Sequence, residues 1–256
     1  LEEAGREIVG LVHDPDKDPD EKVDEAEDTV FEVGRRRLGK YFAPVRSLAK
    51  DFFKDVDHLL ETGEPILGTP SGFTDLDALT TGFYGGDFAI VAARPAMGKT
   101  SLVLNMALNV ARLATGNVAV FSLEMSGQQL VRRLISTIAR VPMGTLKKTN
   151  LSSHDYQKLT DACEELYELP IFIDDSSDVS PMEMRGKCRR LKADGGLSLI
   201  IVDYLQLMRG SKRTENRTQE ISEIARSLKA LAKDLDVPLI ALSQLNRGVE
   251  NRPEKR

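Results

Sequence analysis

The chain has 256 residues, 41% of them apolar and 29% charged, enough apolar side chain for a sizeable core and an ordinary charged share for a globular domain. No run approaches the roughly 20 apolar residues that span a bilayer, and the start Leu1-Glu2-Glu3 lacks the basic-then-apolar pattern of a secretory signal, so the expected location is cytoplasmic. The net charge of −5 is uneven: residues 1–33 hold 13 acids and 3 bases, a local −10, which leaves +5 on the remainder and permits a nucleic-acid partner there.

Taken in order, residues 1–37 read as two short helices around a turn. Pro15 and Pro19, among nearby acids, break the first helix. Val23, Ala26, Val30 and Val33 give the second, from about Pro19 to Arg37, an apolar stripe. A hairpin this small cannot bury that stripe alone, so it is expected to pack on a further domain or subunit. A linker over residues 38–43 leads to Pro44, well placed for a helix start. Val45, Leu48, Phe52, Val56 and Leu59 then recur at three- and four-residue steps and predict one amphipathic helix ending near Gly63. Its apolar face fits either its own domain or a neighbouring subunit.

After Gly63 strands and helices alternate. Strands are expected at Phe88–Ala92, Val118–Ser122, Ile171–Asp174, Leu199–Asp203 and Leu239–Ser243. Helices are expected at Thr100–Leu113, Gln128–Ala139, Met182–Lys192 and Glu220–Asp234. Continuous apolar strands separated by helices imply a mainly parallel central sheet covered on both faces, an α/β fold. Cys163 and Cys188 show no metal-ligand spacing and read as buried reduced thiols. The histidines His13, His58 and His154 are scattered and give no zinc site.

The strongest chemical signal is Ala93-Arg94-Pro95-Ala96-Met97-Gly98-Lys99-Thr100, between a strand and a helix. That is the setting of a phosphate-binding loop. Its backbone N–H groups would converge on phosphate oxygens, helped by the positive end of the helix. Lys99 would reach the β- and γ-phosphates of ATP, and the Thr100 hydroxyl would ligate Mg²⁺. Ala93 stands where the strict pattern has glycine. Asp203 ends a strongly apolar strand, at the edge where ligands bind in parallel sheets, and suits a Mg²⁺ partner. Glu124, just after the second strand, fits a general base for water or a surface acid before a helix capped by Ser126. Gln244, after the last strand, fits a γ-phosphate contact or a solvated strand end. The run from Arg209 to Arg217 holds four bases (Arg209, Lys212, Arg213, Arg217) and one acid, so it could contact DNA phosphates or form a solvated face. It has no aromatic residue on which a base could stack.

Phosphate loop, Glu, Asp and Gln in this order resemble the RecA-like ATPases. The phrases Thr69-Pro70-Ser71-Gly72-Phe73-Thr74-Asp75-Leu76-Asp77, Phe121-Ser122-Leu123-Glu124-Met125-Ser126, Asp203-Tyr204-Leu205-Gln206-Leu207-Met208 and Ser243-Gln244-Leu245-Asn246-Arg247 are similar to those of the DnaB family of bacterial replicative helicases. The resemblance covers essentially the whole chain. It implies that residues 1–37 are the last hairpin of the family's N-terminal collar domain. Residues 38–62 become the linker and linker helix, which docks on the next motor domain. Residues 63–256 become a RecA-like motor domain, C-terminally incomplete. It further implies a homohexameric ring that moves 5′ to 3′ on single-stranded DNA, with primase and helicase-loader partners. Glu124 becomes the base, Gln244 the γ-phosphate sensor and Arg133 an adenine-stacking arginine. The family's arginine finger and second DNA loop are expected beyond residue 256, so this stretch alone should bind ATP and hydrolyse it poorly.

Two other classes share parts of this pattern. A strand-exchange ATPase has the same loop and sheet but forms filaments, and the predicted linker helix argues for the ring. A nucleotide-holding scaffold would have the loop without DNA-stimulated turnover.

Overall fold

The computed structural model describes residues 2–12, 22, 26, 44–63, 68–113, 116–147, 151–208 and 217–245. They fall into two compact units, Leu1–Gly63 and Glu64–Arg256.

The first unit holds helix α1 (Glu2–Val12) and helix α2 (Val45–Thr62). The predicted second helix of the hairpin lies outside the described residues. Pro44 precedes α2 in an extended conformation, and Gly63 ends it at φ 67°, its N–H returning to the Leu59 carbonyl at 2.9 Å. Glycine takes such a left-handed cap without strain. Along α2 the apolar side chains of Val45, Phe52, Phe53 and Leu60 are 62–80% exposed. Phe52 and Phe53 meet edge to face, centroids 5.9 Å apart.

The second unit is built on a five-stranded parallel sheet. Its elements run α3 (Thr74–Thr80), β1 (Phe88–Ala93), α4 (Lys99–Leu113), β2 (Asn117–Ser122), α5 (Gly127–Ala139), α6 (Ser153–Glu168), β3 (Ile171–Asp174), α7 (Pro181–Gly195), β4 (Leu197–Asp203), α8 (Arg217–Leu235) and β5 (Leu239–Gln244). The strand order is β1-β5-β4-β2-β3, every neighbouring pair parallel. The five predicted strands are all present, with β4 beginning two residues earlier than expected. Helix α6 was not anticipated. Its apolar residues Leu159, Ala162 and Leu166 are diluted by charge, and its start depends on the Ser152 hydroxyl accepting the Asp155 N–H at 3.0 Å.

The pleat sorts side chains onto two faces. Ile200, Val202, Ala119 and Phe121 pack with Met184 and Cys188 of α7 and with Ile224, Leu228 and Leu231 of α8. Leu199, Ile201, Val118 and Val120 point the other way, onto Val103, Met106, Ala107 and Val110 of α4 and Leu130 and Leu134 of α5. Burial pushes the Cys188 thiol up to about 12, with the Asp174 charge adding to the push, so it stays protonated and unreactive. Cys163 is half-buried and free.

What matters for function is the level of the carboxyl edge. Ala93 pairs with Gln244, and Ser122 pairs with Asp203. Four strands therefore end together, and whatever follows each of them shares one crevice.

Candidate nucleotide site at the carboxyl edge of the sheet

The loop from Ala93 to Gly98 joins β1 to α4. It turns tightly, with the Met97 N–H to the Arg94 carbonyl at 3.3 Å and positive φ at Ala96 (62°) and Gly98 (85°). Left-handed backbone is ordinary for Gly98 but strained for an alanine, and strain of this kind collects at ligand-binding loops. The geometry aims successive N–H groups inward and brings the loop to the start of α4, whose first-turn N–H groups have no partner within the helix. Lys99 lies back across the loop: its ammonium donates to the Ala93 carbonyl at 2.8 Å and to the Arg94 carbonyl at 3.3 Å.

Beneath the loop, the Thr100 hydroxyl donates to Asp203 Oδ2 at 2.8 Å, joining α4 to the end of β4. Asp203 is only 3% exposed. Burial raises its pKa; the Thr100 bond opposes that, the Glu124 charge adds to it, and the Lys99 and Arg133 charges oppose it, leaving the net upward. A buried carboxylate with one hydroxyl donor, ringed by charges of both signs, is a site that a cation would relieve. Tyr204, joined to Asp203 by a cis peptide, is also raised, first by burial and then by the Glu124 and Asp203 charges.

Glu124 sits exposed in the turn between β2 and α5. Two bonds fix that turn from below. The Leu123 N–H reaches the Asp203 carbonyl at 2.7 Å. The buried Ser122 hydroxyl donates to the Met125 carbonyl at 2.7 Å and accepts the Met125 N–H at 3.2 Å. Helix α5 then starts with the Gly127 N–H on Asp175 Oδ2 at 2.8 Å, and it carries Arg133 within electrostatic reach of Asp203.

Gln244 closes β5 beside the loop: the next N–H, of Leu245, reaches the Ala93 carbonyl at 3.1 Å. The structure thus brings Ala93, Arg94, Pro95, Ala96, Met97, Gly98, Lys99, Thr100, Glu124, Arg133, Asp203 and Gln244 to one edge. The predicted DNA contacts Arg209, Lys212 and Arg213 lie outside the described residues. Arg217, grouped with them in the sequence, bonds within the protein instead. Its guanidinium engages the Glu220 carboxylate, the Gln206 carbonyl and, at 3.2 Å, the Met208 carbonyl.

Two residues here escaped the sequence reading. Ser122 fixes the Glu124 turn, and Gln206 bonds to the tip of β5 through Ser243 and Gln244. A hydroxyl at the last position of a buried strand was a usable signal for Ser122. Gln206 is recognisable only across space. Among the described residues no group of three or more acidic, His or Cys side chains is arranged to hold a metal by itself, as expected where phosphate oxygens and water complete the shell.

A parallel sheet in this strand order, with a phosphate loop after β1 and an acid at the end of β4, defines a RecA-like P-loop domain. The family model of the DnaB-like helicase C terminal domain matches residues 68–256. The replicative DNA helicase DnaB of Geobacillus stearothermophilus is 46% identical over 235 residues, covering 91% of this chain and 52% of that protein. Among solved structures, one ATPase domain is 35% identical with a TM-score of 0.78, over 84% of this chain and 76% of that one. A DnaB-like replicative helicase, described with its interactions with primase, is 32% identical with a TM-score of 0.75, over 99% of this chain and 58% of that one. The chain belongs to the DnaB-like helicase C-terminal domain family, and it spans about half the length of the Geobacillus relative.

Proposed function

We propose that this chain is the motor part of a replicative DNA helicase, an ATP-hydrolysing ring of six copies that moves 5′ to 3′ along single-stranded DNA in the cytoplasm. The observation that carries the reading is the Thr100–Asp203 bond under the phosphate loop, which joins the two groups a Mg²⁺–nucleotide complex needs. Hard oxygen donors of this kind fit Mg²⁺, Thr100 directly and Asp203 through water. Bound Mg²⁺ would neutralise charge on the β- and γ-phosphate oxygens. The backbone from Ala93 to Gly98 cradles the phosphates, and Lys99 exchanges its carbonyl partners for phosphate oxygen. Glu124 accepts the proton of the attacking water. Gln244 contacts the γ-phosphate, and Arg133 covers the adenine face.

Arg209, Lys212 and Arg213 are assigned to DNA phosphates. Arg217 braces the base of that segment. The unit boundary at Gly63–Glu64 and the exposed Phe52, Phe53 and Leu60 support residues 38–62 as linker and linker helix, docking on the next copy, with residues 63–256 as the motor. Residues 1–37 are assigned to the end of a collar domain. Primase is taken as a partner from the relative described with it, and a helicase loader from the family. No helix among the described residues is long and apolar enough to cross a membrane.

The test is unwinding of a forked duplex with a 5′ single-stranded arm by the full-length protein. Unwinding that needs ATP and Mg²⁺ and is lost in Lys99→Ala is expected. ATP binding without unwinding by the wild type would overturn the reading and favour a scaffold, and filaments with strand exchange would favour a recombinase.

A further inference from the structure

We infer that Gln206 is a positioning residue that couples the nucleotide-facing tip of β5 to the place where Met208 and Arg217 meet. The inference rests on the motor reading above and deepens it. Gln206 lies in the short 3₁₀ turn Leu205–Leu207 that follows Asp203. Its side-chain amide bonds to β5 in three ways: Nε2 donates to Ser243 Oγ at 2.8 Å and to the Gln244 carbonyl at 3.3 Å, and Oε1 accepts the Gln244 N–H at 3.3 Å. A side-chain amide can donate and accept here at once without carrying charge. The main-chain carbonyl of Gln206 accepts from the Arg217 guanidinium, which also holds the Met208 carbonyl.

Gln206 therefore has two separable connections. Its side chain grips the strand tip that carries Gln244, and its backbone is gripped by Arg217. Met208 and Arg217 flank residues 209–216, so the brace fixes both ends of the basic run without involving it. A movement of Gln244 on gain or loss of a γ-phosphate must pull on the Gln206 amide. A movement of the Met208–Arg217 base must pull on its carbonyl. Lys99, Thr100 and Asp203 make no bond to this residue among the described contacts, so nucleotide binding is left aside.

The experiment measures ATP turnover of the full-length protein with and without saturating oligo(dT). It compares wild type, Gln206→Ala, Gln206→Met (similar in volume, without the amide), Arg217→Ala and the double variant Gln206→Met/Arg217→Ala. The KM for ATP should stay within about twofold. The ratio of DNA-stimulated to DNA-free turnover should fall about tenfold in either Gln206 variant, the order expected from losing one or two neutral hydrogen bonds. The double variant should fall no further than the worse single one, as members of one connected network do. An equal fall with and without DNA, or an unchanged ratio, overturns the inference, because a merely structural glutamine lowers both rates alike. Multiplying effects in the double variant also overturn it. If the wild type shows no DNA stimulation, the motor reading itself fails, and the two failures are told apart by that control.

Discussion

Lys99 and Thr100 are bonded within the protein, to the Ala93 and Arg94 carbonyls and to Asp203. At the other end of the same edge, Glu124 and Gln244 have no side-chain hydrogen bond among the described residues; only their backbones are fixed, by the Ser122 and Gln206 bonds. The first pair belongs to the part that grips phosphate, and it is built in advance. The second pair belongs to the part assigned to hydrolysis, and its side chains are free to meet what the loop brings. Rigid backbone under an uncommitted side chain is an economical way to hold a reacting group.

Substitutions should separate the two parts. Lys99→Ala strikes the grip and should lower kcat/KM by about 10³-fold or more, since a phosphate clamp supplies several kcal/mol; titration with a fluorescent ATP analogue should show weakened binding as well. Glu124→Gln strikes chemistry alone. Turnover should fall about 10²- to 10⁴-fold while the same titration stays within about threefold of wild type. If Glu124→Gln weakens binding as much as turnover, the contrast between the two parts is wrong. Ser122→Ala loosens the turn without touching Glu124, and kcat should fall about tenfold with KM little changed. The part-buried N–H and carbonyl of Met125 then lose their partner at about 1–3 kcal/mol, and thermal melting should register it.

The smallest effect is expected at the outer strand. Burial pushes the Asp174 carboxyl up, but the bond from Lys187 and those from Ser176 outweigh it, and its pKa is lowered. A carboxylate with a lowered folded-state pKa gives stability above its unfolded value of 3.8, lost as pH falls through the lower folded value. Lys187→Met should therefore destabilise at neutral pH by no more than about 1 kcal/mol, since the lysine side chain is half exposed. The difference should fade below about pH 4, with ATP turnover unchanged. A loss that persists at low pH would mean packing, not charge, is lost.

The grip was legible because it is contiguous. Eight successive residues between a strand and a helix define the loop, and Asp203 is announced by the apolar strand it ends. The brace was not legible, because Gln206 and Ser243 meet across 37 positions of sequence and neither is unusual where it stands. Arg217 was read with its basic neighbours because charge is visible in a sequence and the direction of a guanidinium is not. Helix α6 was overlooked for a related reason: most of its surface faces water, and its few apolar residues form only a narrow stripe against α5.

The level ending of the strands has a consequence for how this site tolerates change. Ala93, Gln244, Asp203 and Ser122 share one rung because of register, and register in a pleated sheet is counted in whole residues. Removing one residue inside β4 would turn every later side chain of that strand to the opposite face and withdraw Asp203 from Thr100. Removing one from an exposed turn at the amino ends would only shorten a loop. The site is thus brittle to small deletions in the strands that carry it, and forgiving of larger ones at the far edge of the same sheet.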